Sequence, residues 1–258
     1  MNNVKNSLLL LVKAIENMVN FMNVKNQLAD VIGEEDNMEA IDDTWSEIRI
    51  KKLLFRYKNN QNVVSIDDFL LAKGDKVCIT GKSGQGKTTF LNLISGYYPY
   101  KCDFYVDSVK TTPKKLNAVY ISQEIEMFNL SIRENLCLGQ NIEESKILNL
   151  FKEADLTNWY NNLSNGLDTI LGEKGINIST GQKQRLNIIR GILCEKDVYF
   201  FDEPSSNLDE ISEIKICEMI NKYLKDKTII IITHREKLKD ICNKHFEFIN
   251  SSLRPICE

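Results

Sequence analysis

The residues Gly81-Lys82-Ser83-Gly84-Gln85-Gly86-Lys87-Thr88 match G-x-x-x-x-G-K-[ST], a spacing suited to holding a polyphosphate. Glycines let successive backbone N–H groups turn inward as an anion nest. The loop lies between a short apolar strand, residues 76–80, and a segment patterned as a helix, whose N-terminal dipole favours the same anion. Lys87 is placed to reach the β- and γ-phosphates, Thr88 to ligate Mg²⁺, and Thr89 follows at the mouth of the loop. A second group is Val198-Tyr199-Phe200-Phe201 followed by Asp202-Glu203. Four apolar residues ending in two acids put the carboxylates at the C-terminal edge of a strand, where open α/β sheets bind ligands. A buried strand ending in a solvated acid pair is common, so this pattern alone is weak. Beside the phosphate loop, Asp202 suits the Mg²⁺ shell and Glu203 suits a general base that polarises water. His234 closely follows the apolar run 228–232 and would share that sheet edge, whereas His245 has no such context and reads as packing or surface.

These side chains need a sheet to hold them. Residues 48–57, 63–71, 76–80, 118–121, 198–201 and 228–232 read as strands. The last two are continuous apolar runs, as expected of parallel strands covered on both faces. Residues 142–154 and 182–193 carry apolar positions three and four apart, and the stretch from 124 to about 190 reads as mostly helical. The domain proper is expected to start near Trp45 and run to residue 258, with a helical insertion at about 124–193. Before it, Val4, Leu8, Leu11, Ile15, Met18 and Met22 form an a/d-like stripe on a predicted helix. That helix either packs on its own domain or needs a partner from outside this chain. Residues 33–44, with Glu34, Glu35, Asp36, Asp42 and Asp43, read as an acidic linker, so 1–44 forms an extension.

A net charge of −3 over 258 residues argues against nucleic acid as a partner, since such proteins show a basic face. Seven cysteines without a C-x-x-C pair fit reduced thiols better than a disulfide framework or a zinc site. The longest apolar run, residues 8–12, is far shorter than the roughly 20 residues of a spanning helix.

Over residues 46–250 the chain resembles the nucleotide-binding domain of ABC transporters, of exporter type. Beyond the two groups above, Ile178-Ser179-Thr180-Gly181-Gln182 resembles the family's signature, followed by Lys183-Gln184-Arg185. Gln123 looks like the Q-loop residue, Ser206-Asn207-Leu208-Asp209 like the D-loop, and Tyr57 like the aromatic that stacks on adenine. A strand tyrosine that is merely half-buried is the plainer reading of Tyr57. The resemblance implies a P-loop NTPase core of α/β class. Its sheet would be mostly parallel, with a small antiparallel β region, an inserted α-helical subdomain and a preceding helix. ATP and Mg²⁺ would be the cofactors. Thr88, Gln123 and Asp202 would handle the metal, and Glu203, His234 and Gln123 the catalysis. Gly81 to Thr89 and Tyr57 would hold the nucleotide, with Ser179, Gly181, Gln182 and Asp209 completing a site on a second such domain. That implies a homodimer or heterodimer closing head to tail, each ATP lying between one phosphate loop and the other subunit's signature.

Thr169-Ile170-Leu171-Gly172-Glu173-Lys174-Gly175 looks like a loop of ABC exporters that touches their membrane domains. Residues 127–135 and Glu213 fit the same branch, and the first helix with its linker looks like the end of an exporter's last membrane helix. The expected partner is thus a transmembrane domain from another chain or missing from this fragment, with the ATPase on the cytoplasmic face of a membrane. Beside the absence of the membrane region that exporters usually carry in the same chain, two further departures stand out. Thr180 occupies a position where the family usually has glycine. At positive φ it would cost about 1–2 kcal/mol, and in a first helical turn very little. The segment 97–115 is short, which predicts reduced antiparallel strands. A soluble ABC ATPase without a transport role, resembling those of iron–sulfur assembly, is the main alternative, and a binding module in which ATP is structural is a third.

Overall fold

A computed structural model describes residues 38–57, 63–172, 176–205 and 208–256. The expected first helix, most of the acidic linker, Glu173–175 and Ser206-Asn207 lie outside the described residues. The compact unit is Glu39–Glu258, so packing reaches back before Trp45. Ala40 bridges Lys115, the Ile41 N–H donates to Lys115 O at 2.9 Å, and the Ile41 side chain is buried. The last part of the expected linker is therefore an edge segment of the domain.

Among the described residues the chain forms one ten-stranded sheet. Its strands are β1 (Glu47–Arg56), β2 (Val63–Ala72), β3 (Lys76–Gly81), β4 (Asp103–Val106), β5 (Val109–Thr111), β6 (Ala118–Ile121), β7 (Val198–Asp202), β8 (Thr228–Ile232), β9 (Lys244–Ile249) and β10 (Ser252–Pro255). The helices are α1 (Lys87–Ile94), α2 (Ile132–Cys137), α3 (Glu144–Glu153), α4 (Thr157–Asn161), α5 (Thr180–Leu193), α6 (Glu210–Tyr223) and α7 (Glu236–Lys239). Spatial order is β5-β4-β1-β2-β10-β9-β3-β8-β7-β6. From β9 to β6 the neighbours are parallel. The β5-β4-β1-β2 side is antiparallel, as is β9 with β10.

The parallel half follows from composition. Every residue of β7 and β8 is buried, because α-helices cover the sheet and leave no polar face. Helix α5 lies closest at Gly191, where an added Cβ would sit 2.8 Å from Ile121 Cδ1 of β6. The antiparallel half alternates, with one irregularity. Ile48, Ile50 and Leu53 of β1 point inward, as do Val64, Ile66, Phe69 and Leu71 of β2. Both strands therefore change face at the same level, where Lys52 adopts φ 54°. A residue in the left-handed region breaks the two-residue period.

Two findings differ from the sequence reading. First, β9 and β10 follow β8, where no strand is read from the sequence. Their turn is Asn250-Ser251, at φ 49° and 62°, a two-residue hairpin of the right twist but without the glycine that marks one. The β4–β5 hairpin uses Asp107-Ser108 in the same way, and those two strands are short, as the brevity of 97–115 predicts. Second, residues 124–131 are not helical. The fully buried Asn135 of α2 fixes them instead. Its Oδ1 accepts from Phe128 N–H at 2.9 Å, and its Nδ2 donates to Phe128 O at 3.0 Å and Leu130 O at 3.2 Å. One side chain thus satisfies backbone groups that a helix would otherwise have paired.

Candidate functional site

The loop from β3 to α1 is built by backbone conformation. Gly81, Gly84 and Gly86 have φ of 130°, 77° and 106°. A Cβ on Gly86 would lie 2.6 Å from Val64 Cγ2, and one on Gly81 2.6 Å from Phe248 O. Glycine is required at both positions by conformation and by space. Gly86 is the N-cap of α1 and carries no side-chain cap, which leaves the first-turn N–H groups pointing at the loop's hollow. Lys87 is only 7% exposed, and its Nζ donates to Gly81 O at 2.6 Å and Lys82 O at 3.1 Å. Burial holds its pKa below the ordinary value, against the raising pull of Glu203 and Asp202.

A cavity of about 250 Å³ opens on this loop. Its walls include Ser83, Gly84, Gln85, Gly86, Lys87, Thr88 and Thr89, with Tyr57, Gln123 and Glu203 completing it. Gln123 Nε2 donates to Glu203 Oε2 at 3.3 Å, so residues from the ends of β6 and β7 meet across the opening. Glu203 has φ 49°, and its N–H donates to Ile232 O at 2.9 Å. That left-handed turn carries its carboxylate out of the sheet's alternation and into the cavity wall. Tyr57 stands at the rim, its hydroxyl 3.1 Å from Thr89 Oγ1, its ring edge-on to Phe55 at 5.0 Å and to Tyr98 at 5.4 Å.

Asp202 ends β7 and is 4% exposed. Burial pushes its carboxyl up, partly offset by hydrogen bonds from the Thr88 and Tyr120 hydroxyls. A buried carboxylate, a hydroxyl and the Gln123 amide form an all-oxygen donor set, which fits Mg²⁺ held by one carboxylate together with substrate phosphates.

The remaining expected residues lie elsewhere. Ser179 is the N-cap of α5 and forms a capping box: Gln182 N–H donates to Ser179 Oγ at 3.2 Å, and Ser179 N–H to Gln182 Oε1 at 2.9 Å. Ser179 and Thr180 are exposed, and Thr180 is the first helical residue with no positive φ, so it carries no backbone strain. Gly181 and Gln182 are half-buried, and none of the four lines the cavity. Asp209 is exposed and caps α6, accepting from Ser212 N–H at 2.9 Å. His234 is exposed just past β8 and does not line the cavity. Beside it, Arg235 pairs at 3.5 Å with the buried Glu213.

The sequence reading misses Val64 and Ser251, which also line the cavity. The Ser251 N–H donates to Gln85 Oε1 at 2.9 Å and its carbonyl accepts from Ser65 N–H at 2.9 Å. The β9–β10 turn is thus a wall of the site, and no local signal in the sequence announces it.

The family model described as ABC transporter matches residues 64–206, more than half the chain, from Val64 in β2 past Glu203. The chain belongs to the ABC transporter family. It is 30% identical over 218 residues to an ATP-dependent lipid A-core flippase of Pseudoalteromonas translucida, which covers 81% of this chain and 38% of the flippase. It is 31% identical over 217 residues to the mitochondrial iron-sulfur clusters transporter ATM1 of Kluyveromyces lactis, covering 81% of this chain and 30% of that one. It therefore spans well under half the length of these exporter-type relatives. Its fold matches a bacterial Atm1-family ABC exporter with ATP bound at a TM-score of 0.74 and 23% identity, over 93% of this chain and 44% of that one.

In this ABC domain the two stretches that look exporter-like are fastened together. Ser131 bridges Ile170, Ile132 N–H donates to Thr169 O at 2.9 Å, and Leu171 N–H to Leu130 O at 2.9 Å. Beside them a cavity of about 480 Å³ is lined by Ser122, Ile125, Phe128, Leu138 and Arg190 among others. Phe128 and Leu138 leave about half their surface exposed, at 50% and 49%. No helix among the described residues is long and apolar enough to cross a membrane.

Proposed function

We propose that this chain is the MgATP-hydrolysing part of an exporter-type ABC transporter, working as one of two such domains that close head to tail. The observation that carries this reading is the cavity that gathers Ser83–Thr89, Gln123 and Glu203, while Ser179 and Thr180 stand exposed, and Gly181 and Gln182 half-buried, outside it.

Backbone N–H groups of the loop and Lys87 would hold the phosphates, and the rim ring of Tyr57 would lie against adenine. Thr88, Asp202 and Gln123 would hold Mg²⁺, which when bound neutralises phosphate charge. Glu203 would polarise the attacking water, and Gln123, already hydrogen-bonded to it, would report whether the γ-phosphate is present. Lys87 now bonds to two loop carbonyls, and phosphate oxygens would replace them without moving the buried stem. Ser179, Gly181 and Gln182 of a second domain would supply the other wall of the γ-phosphate site, with its Asp209 nearby and His234 joining on closure. The largely apolar groove at Phe128 and Leu138 suits a transmembrane partner, which would place the domain on the cytoplasmic face of a membrane.

The test is Glu203→Gln. ATP should still bind, measured by calorimetry, while hydrolysis by chain reconstituted with its membrane partner falls by roughly 10²–10⁴-fold. Undiminished turnover in that variant would remove Glu203 from the role of base.

A further inference from the structure

We infer that Tyr120 is a positioning residue for the metal carboxylate: its phenol holds Asp202 in the orientation in which that side chain takes the cation accompanying ATP. This rests on the reading of the cavity as an ATP site. The Tyr120 hydroxyl donates to Asp202 Oδ2 at 3.2 Å. The contact follows from sheet register. Tyr120 of β6 is paired with Phe200 of β7, and Asp202 lies two residues beyond Phe200 on the same face. A diagonal neighbour across two strands is 7–8 Å away at the backbone, which an aromatic side chain spans and a shorter one does not.

The phenol is also held rigidly. Its ring stands edge-on to Phe200 at 6.4 Å and 87°, and edge-on to Tyr97 at 6.1 Å and 81°. Asp202 itself is 4% exposed, so water cannot replace the donor without room being made for it. With Oδ2 engaged by a fixed phenol, rotation of the carboxylate is restricted before any cation arrives. Thr88, the other hydroxyl bonded to Asp202, is itself expected to ligate the metal and would have to turn towards it. Tyr120 has no such second duty. It also lies three residues before Gln123 on the same strand end, so one hydrogen bond ties the strand that carries Gln123 to the carboxylate of the next strand.

The experiment compares the chain with its Tyr120→Phe and Tyr97→Phe variants. Affinity for a fluorescent ATP analogue is measured first in EDTA and then across a Mg²⁺ titration. Tyr120→Phe keeps the ring and removes only the donor. Its affinity in EDTA should match the parent and its nucleotide-free unfolding midpoint should fall modestly, because a buried carboxylate loses a donor, while the Mg²⁺ concentration for half-maximal tightening should rise about 10-fold or more, the loss expected for a hydrogen bond to a charged group. Tyr97→Phe, which keeps the ring contact and has no bond to Asp202, should leave the EDTA affinity, the Mg²⁺ midpoint and the unfolding midpoint unchanged. A Mg²⁺ midpoint unchanged in Tyr120→Phe would overturn the inference, and so would an equal loss in EDTA, which marks a general structural role. A parent chain that binds nucleotide with no Mg²⁺ dependence would overturn it too while leaving the ATP site standing, and a parent that binds no nucleotide would remove the reading of the site itself.

Discussion

The phosphate loop and the signature segment are both glycine-containing turns that open a helix, yet they are built in opposite ways. At the loop, Gly86 caps α1 without a side chain, the first N–H groups are left open, and Lys87 is buried against carbonyls. At the signature-like segment, Ser179 and Gln182 satisfy each other's backbone, and Ser179 and Thr180 are exposed. The loop keeps binding capacity in reserve and encloses it in a cavity. The signature has spent its local capacity on its own helix and offers a finished surface. The first can act within one chain. In the proposed head-to-tail pair the second would gain a ligand only when another surface covers it.

The two glycines separate these designs most sharply. Gly86→Ala would put a Cβ 2.6 Å from Val64 Cγ2 at φ 106°. Left-handed strain and overpacking together cost about 2–5 kcal/mol. We expect nucleotide affinity of the isolated chain to fall about 100-fold or more by calorimetry. Gly181→Ala meets only Leu208 Cδ2 at 3.6 Å, an ordinary contact, inside a helix that favours alanine by up to about 1 kcal/mol. The isolated chain should melt no lower and bind ATP unchanged, while turnover with the partner present falls roughly 10-fold or more, because the added methyl would keep the partner's γ-phosphate away from the backbone N–H groups. Weakened ATP binding by isolated Gly181→Ala would break the comparison, because the signature would then be acting on its own chain's nucleotide.

Asp202 shows what the enclosed half costs. Burial raises its folded pKa, so its contribution to stability is present below the unfolded value and lost as pH rises through the folded one. Above that point the ionised carboxylate is a standing penalty until a cation arrives. Asp202→Asn should therefore raise the nucleotide-free unfolding midpoint at pH 7–8, by an amount that shrinks as the pH is brought towards 4, and should abolish the extra stabilisation given by MgATP over ATP in EDTA. A nucleotide-free midpoint that falls at pH 8 would show that the carboxylate's hydrogen bonds outweigh its desolvation. The signature segment, with exposed neutral groups, has no comparable penalty to relieve.

This contrast also explains what the sequence disclosed. The phosphate loop is legible because its conformation is local: three glycines, a lysine and a hydroxyl at fixed spacing define it. The buried strands β7 and β8 are legible because burial on both faces demands a continuous apolar run. Ser251 was not legible. It reaches the cavity through the pairing of β10 with β2 and a bond to Gln85, contacts set by residues far away in the chain, and its turn lacks glycine. Residues 124–131 fall in a stretch whose helical reading rests on the spacing at 142–154 and 182–193, while Asn135, one polar side chain in the core, decides otherwise. The change of face at Lys52 could be read only with both strands in view. Asp209 is singled out only by the resemblance, and its visible work in the structure is capping α6.

Thr180 provides the finest test of the comparison. The resemblance made it a departure, since glycine is usual there, and glycine would be needed if the backbone were left-handed. It is not: Ser179 has φ −65° and ψ 158°, and Thr180 is the first residue of α5 without positive φ. Threonine at the start of a helix has a cost of a few tenths of a kcal/mol against the best residues, and glycine costs more through lost chain entropy. Thr180→Gly should therefore lower the unfolding midpoint by about 1–2 °C, the shift that roughly half a kcal/mol produces in a domain of this size. ATP affinity of the isolated chain should not move, because the cavity lies elsewhere. The exposed side chain leaves one place where the change can register, the surface that the proposed function gives to a second copy. A rise in turnover on Thr180→Gly, with affinity of the isolated chain constant, would mean that the threonine methyl holds two copies apart and that the outward half of the site is tuned for slow closure. Constant turnover would mean that the helix start accepts either residue and that Ser179 and Gly181 alone define the surface.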